Sequence, residues 1–208
     1  MKNLIIIGAG GMGRSFYDLA KDSMGYGKEF IIKGFVDDDI QALKGFINYP
    51  PLLGRIRDYE PKENDVFISS IGGKSRVPCC ESIAKRRGKF INLIHNTARL
   101  GTNVSLGQGN LIGAYVALGA DAKIGDYNMI QSYSVIGHDT IISNFVRIDT
   151  HVVCVGGVKI YDMATIHSNS VINHKVVINS GAIVGAQSFV IRSVPENTTV
   201  FGCPAKKI

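Results

Sequence analysis

The sequence predicts an α/β domain followed by an all-β parallel β-helix. Three observations carry that reading. An apolar strand run ends in a glycine cluster, strands alternate with helices only within residues 1–95, and a six-residue repeat runs unbroken through most of the rest. The chain has 208 residues with 23 Lys+Arg against 17 Asp+Glu, a net charge of +6. The excess is spread out: residues 1–95 hold 15 basic and 11 acidic side chains, and residues 96–208 hold 8 and 6. So mild a bias suits phosphorylated small ligands and is too diffuse for a nucleic-acid surface. No apolar run approaches the ~18 residues of a membrane span, and Leu4–Ile7 is too short for a secretory leader. Cys79, Cys80, Cys154 and Cys203 form no Cys-x-x-Cys pair, so they are expected to be reduced thiols in a cytoplasmic protein.

Leu4–Ile7 is continuously apolar, as a strand buried on both faces requires. Gly8-Ala9-Gly10-Gly11-Met12-Gly13 follows at once, and Arg14–Lys21 has helical spacing with Phe16, Leu19 and Ala20 on one side. A second strand is expected at Ile31–Val36, ending in Asp37-Asp38-Asp39. A third is expected at Val66–Ile71, ending in Gly72-Gly73-Lys74-Ser75-Arg76. A helix over Val77–Arg87 should stop at Gly88, and Phe90–Ile94 reads as a fourth strand. The basic run Lys85–Lys89 reads as a solvated helix end, where cations complement the dipole.

Strands alternating with helices make a parallel sheet, and such sheets bind ligands beyond the carboxyl ends of their strands. The substrate candidates there are Gly10, Gly11 and Met12 as a backbone cradle for phosphate, Asp37 or Asp38 as acceptor for ribose or base, and Gly72, Gly73, Lys74 and Arg76 at the third strand. Gly-x-Gly-x-x-Gly after a strand is also the dinucleotide fingerprint. With the α/β part ending near residue 95, there is little room for a second mononucleotide half. A mononucleotide or nucleotide sugar therefore fits better than NAD.

From Leu100 to Val190 every sixth residue is apolar, sixteen in succession, and fifteen of them are aliphatic. Two residues before each stands Ala, Ser, Thr or Val in fourteen cases, and Asn110 and Asn128 in the other two. Gly follows the apolar position at 101, 107, 113, 119, 125, 137 and 185, which reads as a need for unusual turn dihedrals. Each hexad is expected to form a short strand and a turn, with the aliphatic stacked inside. Only 14 of the 113 residues from 96 on are charged, in keeping with faces covered by Asn, Ser and Thr.

Strict hexads over this length resemble the left-handed β-helix acyltransferases. The N-terminal Ile6-Ile7-Gly8-Ala9-Gly10-Gly11, Phe35-Val36-Asp37-Asp38, Asn92-Leu93-Ile94-His95 and the terminal Gly202-Cys203-Pro204-Ala205-Lys206-Lys207 narrow the resemblance. Together they resemble the bacterial nucleotide-sugar N-acetyltransferases and sialic-acid O-acetyltransferases, over essentially the whole chain. The resemblance implies residues 1–95 as a Rossmann-like nucleotide-sugar domain and residues 96–208 as a left-handed β-helix with a C-terminal tail. It further implies a homotrimer with active sites between subunits, acetyl-CoA as cosubstrate, and no metal.

Acyl transfer to an amine or hydroxyl needs a base and an oxyanion donor. Histidine, with an ordinary pKa near 6.5, suits the first role, and the chain offers His95, His138, His151, His167 and His174. By resemblance His138 is the general base and Asp139 its support. With 18 residues per coil, Gly156 stacks beside His138 at ~4.8 Å and offers a free N–H, while His174 is expected two coils away at roughly 10 Å. The cofactor candidates are Gly156, Ser168, His174, Gly185 and Arg147, the last standing where relatives often have a second His. Met12 likewise stands where relatives often have His in the glycine loop. Arg192, Lys206 and Lys207 read equally as phosphate contacts and as solvated charges. The expected activity is N-acetylation of a UDP-linked amino sugar by direct attack, with sugar or sialic-acid O-acetylation as the runner-up. A zinc site would need three convergent His ligands, which these phases do not bring together. A non-catalytic nucleotide-binding module is the weakest reading, given His138-Asp139 beside Gly156.

Overall fold

The computed structural model describes all of residues 1–208, which form two compact units, Met1–Asn96 and Thr97–Ile208. In the first, a four-stranded parallel sheet has the order β2-β1-β3-β4, with β1 Lys2–Ile7, β2 Phe30–Val36, β3 Asp65–Ser69 and β4 Lys89–Phe90. Helix α1 (Gly11–Lys21) links β1 to β2, and α2 (Arg76–Lys85) links β3 to β4. Leu4, Ile5, Ile6 and Ile7 are wholly buried, as a central strand covered on both faces must be. The strand order reverses between β1 and β3. The glycine loop and the Gly72–Arg76 turn therefore flank the crevice beyond the strand ends.

Several boundaries differ from expectation: β3 ends at Ser69 rather than Ile71, and α1 begins at Gly11 rather than Arg14. The expected strand Phe90–Ile94 is two short ones, Lys89–Phe90 and Leu93–Ile94. Helix α2 closes at Lys85, and its stop is Arg87 rather than Gly88. Arg87 takes the left-handed conformation (φ 64°), while the Gly88 N–H reaches back to the Ile83 carbonyl at 3.0 Å. Gly88 is needed for closeness instead, since a Cβ there would meet the Ile83 oxygen at 2.9 Å.

The second unit is a left-handed parallel β-helix of two-residue strands, each paired with the strand 18 residues on. Val135-Ile136 pairs with Val153-Cys154, which pairs in turn with Val171-Ile172. Three hexads make a coil and the strands form three faces. The inward column from Ile112 to Val190 is buried throughout, whereas Leu100, at the open first coil, is exposed. Strict pairing at 18 ends with the last hexad. Thr199-Val200 pairs with Ile183-Val184 at a spacing of 16, and the chain closes in an antiparallel hairpin with Ala205–Lys207.

The glycines following the apolar positions are there for a different reason from the one the sequence suggests. None of the seven has positive φ. That conformation falls two residues later, at Asn103, Gly109, Tyr115, Asp121, Tyr127, Tyr133, Asp139 and onward, almost all non-glycine. The seven serve close approach: a Cβ at Gly101 would stand 2.8 Å from the Ala120 nitrogen, and one at Gly137 2.7 Å from the Gly156 nitrogen. No helix is long and apolar enough to cross a membrane.

Candidate active site

The glycine loop is held from two sides. The Ala9 N–H donates to Asp37 Oδ2 at 2.7 Å, and the Ser70 hydroxyl, at the end of β3, donates to the carbonyls of Ile7 (2.9 Å) and Gly8 (3.2 Å). Gly8 has φ +97°, and a Cβ on Gly13 would collide with the Gly8 carbonyl, so both must be glycine for the turn to close. Gly10 and Gly11 meet open space, and no side chain caps the helix they begin. The first turn of α1 therefore presents unspent N–H groups with the positive end of the helix dipole.

The acidic candidates divide. Asp37 spends both oxygens on the backbone, accepting from Ala9 and, at 2.9 Å, from the Asp39 N–H. It is a loop-locking residue first. Asp38 is exposed, and its carboxylate meets only the Arg57 N–H, at 3.4 Å. Gly72, Gly73 and Lys74 are exposed in a short 3₁₀ turn, whereas Arg76 is 3% exposed and does not share their access to a ligand. Met12 is half-buried in the first turn of α1. Sequence reasoning missed Ser70 and Arg14. Arg14 bonds the Ala9 carbonyl at 3.3 Å and lies 3.6 Å from the centre of the Phe46 ring, next to Gly11. Nothing in residue spacing reveals a contact to a loop some thirty residues on.

In the β-helix, His138 and Asp139 stand on one turn. His138 Nδ1 lies 2.6 Å from Asp139 Oδ2, and Asp139 has the left-handed backbone (φ 57°) of that turn position. With Nδ1–H donating to the carboxylate, Nε2 keeps its lone pair. It faces Gly156 on the next coil, where a Cβ would collide with the imidazole. Around Gly156 the coil-to-coil bonds run from Val155 to the Ile172 carbonyl and from Gly157 to the His138 carbonyl. The Gly156 N–H takes no part in that ladder.

His174 corrects the expectation of distance. Its ring centroid is 6.5 Å from that of His138, much nearer than the roughly 10 Å that two coil spacings give. Gly156 and Gly157 leave the intervening coil bare of side chains at this corner, and the two rings lean over it.

The expected cofactor residues do not converge within one chain. Gly156 and His174 share the His138 corner. Arg147 opens the strand Arg147–Ile148, and Ser168 and Gly185 lie in the turn that follows its stacked neighbours Thr165–Ile166 and Ile183–Val184. Gly185 lies beneath Phe201, whose ring carbon a Cβ would meet at 2.6 Å, so the tail hairpin already covers it. Ser168 contacts the Thr150 hydroxyl at 3.2 Å, and Arg147 Nε donates to Asp149 at 2.7 Å. Of the remaining histidines, His151 stacks on Tyr133 (4.9 Å) and His167 pairs with Asp149 (2.9 Å). No group of three or more His, Cys, Asp or Glu side chains is arranged to hold a metal ion. Burial in the core pushes the Cys154 thiol up to about 12 and that of Cys80 to about 11, so neither is a nucleophile at neutral pH.

Two family models match the chain: the PglD N-terminal domain over residues 3–76 and the bacterial transferase hexapeptide (six repeats) over residues 103–138. A search of curated protein sequences returns no match. Among solved structures, the acetyltransferase domain of PglB from Neisseria gonorrhoeae in complex with acetyl coenzyme A superposes with a TM-score of 0.89. It is 26% identical, over 100% of this chain and 99% of that one. WeeI from Acinetobacter baumannii gives a TM-score of 0.87 at 25% identity, over all of both chains. A histidine-to-alanine variant of GDP-perosamine N-acetyltransferase from Caulobacter crescentus, in complex with CoA and GDP-perosamine, shares the fold (TM-score 0.89, 24% identity, 100% and 97% covered). The chain thus joins a glycine-loop sheet domain of the PglD type to bacterial transferase hexapeptide repeats, as the acetyl-CoA-dependent acyltransferases it resembles do.

Proposed function

We propose that the protein transfers an acetyl group from acetyl-CoA to the amine of a nucleotide-linked amino sugar, with His138 as general base. The observation that carries this is the geometry at one corner of the β-helix. A carboxylate fixes Nδ1 of an imidazole, Nε2 faces a bare glycine, and that glycine's N–H is unspent. His138 Nε2 takes the amine proton as nitrogen attacks the thioester carbonyl, the Gly156 N–H meets the developing oxyanion, and collapse of the tetrahedral intermediate breaks the C–S bond and releases the CoA thiolate, which takes the proton from His138. Asp139 keeps the imidazole in the right tautomer and balances its charge once protonated. The likeness to the PglB domain bound to acetyl-CoA supports the choice of donor. The exposed glycine-loop N–H groups support a phosphorylated acceptor, here taken as UDP-linked, in the cytoplasm. Sugar O-acetylation uses the same base and is the second reading.

Apolar residues on the face beside this corner support a trimer with shared sites. Val135, Val153, Val155 and Ile191 are all exposed there. A second copy covering them would stand beside His138 and bring its own side chains alongside the cofactor. This is how Arg147 and Ser168 of one copy would join Gly156 and His174 of another.

The test mixes protein, acetyl-CoA and a panel of UDP-, GDP- and dTDP-amino sugars plus free sialic acid, and reads thiol release. Release with one amino sugar, lost at least a hundred-fold in His138→Ala while acetyl-CoA still binds, is the expected result. Release only with sialic acid moves the protein to O-acetylation. Unimpaired kcat in His138→Ala overturns the assignment of the base.

A further inference from the structure

Asp149 is the one charged side chain buried in the β-helix, at 6% exposure. A buried carboxylate needs partners, and it has three. Oδ1 accepts from Arg147 Nε and from Gln131 Nε2, each at 2.7 Å, and Oδ2 stands 2.9 Å from His167 Nδ1. Gln131, Asp149 and His167 hold the same turn position on three successive coils, and at that corner Gly113 precedes them and Gly185 follows. Three polar side chains are thus set between two glycines in a column whose neighbours need no side chain at all.

The pairing orients its cations more than it neutralises them. A side-on or end-on Arg–carboxylate pair commonly spends two N–H groups on one carboxylate. Here Asp149 takes a single N–H from Arg147 and gives its other oxygen to His167. The Nη1 and Nη2 groups of Arg147 and the Nε2 of His167 have no partner within the chain, and the two side chains are 30% and 40% exposed. The Thr150 and Ser168 hydroxyls, 3.2 Å apart, occupy the next turn position.

We infer that Arg147 and His167, aligned by buried Asp149, form a binding site for a phosphoryl group. A planar fork with free N–H groups matches phosphate oxygens in pairs, and the His167 ring one coil away closes on the same ligand. The identity of the ligand rests on the acetyltransferase reading, since CoA and a nucleotide sugar both carry phosphoryl groups; the charge arrangement does not.

The test measures dissociation constants by calorimetry for CoA, 3′-dephospho-CoA and the UDP and GDP nucleotides, with wild type, Arg147→Gln, Arg147→Lys and His167→Gln. Both Gln substitutions are expected to weaken the same ligand about ten-fold, with the fold intact by circular dichroism, and Arg147→Lys to recover part of the loss. A loss for CoA that vanishes with 3′-dephospho-CoA assigns the site to the 3′-phosphate. A loss for both CoA forms assigns it to the diphosphate, and a loss for UDP or GDP alone assigns it to the acceptor. Tight wild-type binding that both Gln substitutions leave unchanged overturns this inference alone. Wild-type protein that binds none of these ligands overturns it together with the acetyltransferase reading.

Discussion

Gly156 has no side chain, and His138 Nε2 owes its open space to that absence. The Gly156 backbone is not in the left-handed region, so alanine is conformationally acceptable there. Its methyl, however, would collide with the imidazole. The exposed ring can turn aside, but only by leaving its alignment with Asp139. Displacements of about 1 Å at a reacting centre cost roughly a hundred-fold in rate. Gly156→Ala is therefore expected to lower kcat ten- to hundred-fold while shifting the melting temperature by less than a few degrees. Steady-state kinetics beside a thermal melt check it, and an unchanged kcat would remove Nε2 from the chemistry. The stacking of Gly156 on His138 was legible in the sequence because the 18-residue coil sets it. The approach of His174 was not, because a side chain's lean over an empty coil depends on what the coil lacks. The burial of Arg76 and the backbone bonds of Asp37 were not legible for a related reason. Residue type announces that a charge is present, and only packing decides whether it reaches a ligand or spends its bonds on the backbone.

The secondary elements follow the repeat closely, since a six-residue period with buried aliphatics has one compact solution. What the pattern hid was the cause of its glycines, as the left-handed conformation and the close backbone approach fall on different turn positions. In the sheet domain, the entry to β3 is organised by a buried ion pair that the strand pattern gave no sign of. Asp65, 2% exposed, accepts from Lys33 Nζ (2.8 Å), the Tyr59 hydroxyl (2.7 Å) and the Lys62 N–H (3.0 Å), and so ties β2 and the preceding loop to β3. Burial alone would raise its carboxyl, but Lys33, Lys62 and Tyr59 outweigh that and hold it below the ordinary carboxylate value. A carboxyl depressed in the folded state adds stability above its ordinary value near 4 and loses that contribution as the pH falls through the depressed one. Asp65→Asn is expected to cost about 3 kcal/mol at pH 7, because it breaks a buried pair, and less at pH 3. Urea unfolding at the two pH values measures the difference; an equal gap at both would show that Asp65 acts through packing and not through its charge.

At the scale of the whole molecule, the β-helix leaves one face poorly suited to water. Val135 and Val153 are 44% and 37% exposed on adjacent coils, with Val155 at 38% and Ile191 at 43% on the adjoining turn. Aliphatic side chains aligned coil upon coil make a continuous patch, and such patches mark contact surfaces. Burying the part of each side chain still exposed contributes roughly 0.5–1 kcal/mol per copy, and a closed ring of three copies would repeat the contact three times. The same face borders the turn bearing His138, so assembly and chemistry should fail together. Wild-type protein is expected to sediment at three times the 22.5 kDa chain mass. Val153→Glu would place a carboxylate within the proposed contact, and its desolvation without a partner would oppose the gain from burial. That variant should sediment as a monomer, keep the β-sheet circular dichroism of the coils and lose acetyl transfer. A monomeric wild type, or a monomeric Val153→Glu protein with full activity, would show that each chain carries a complete site of its own.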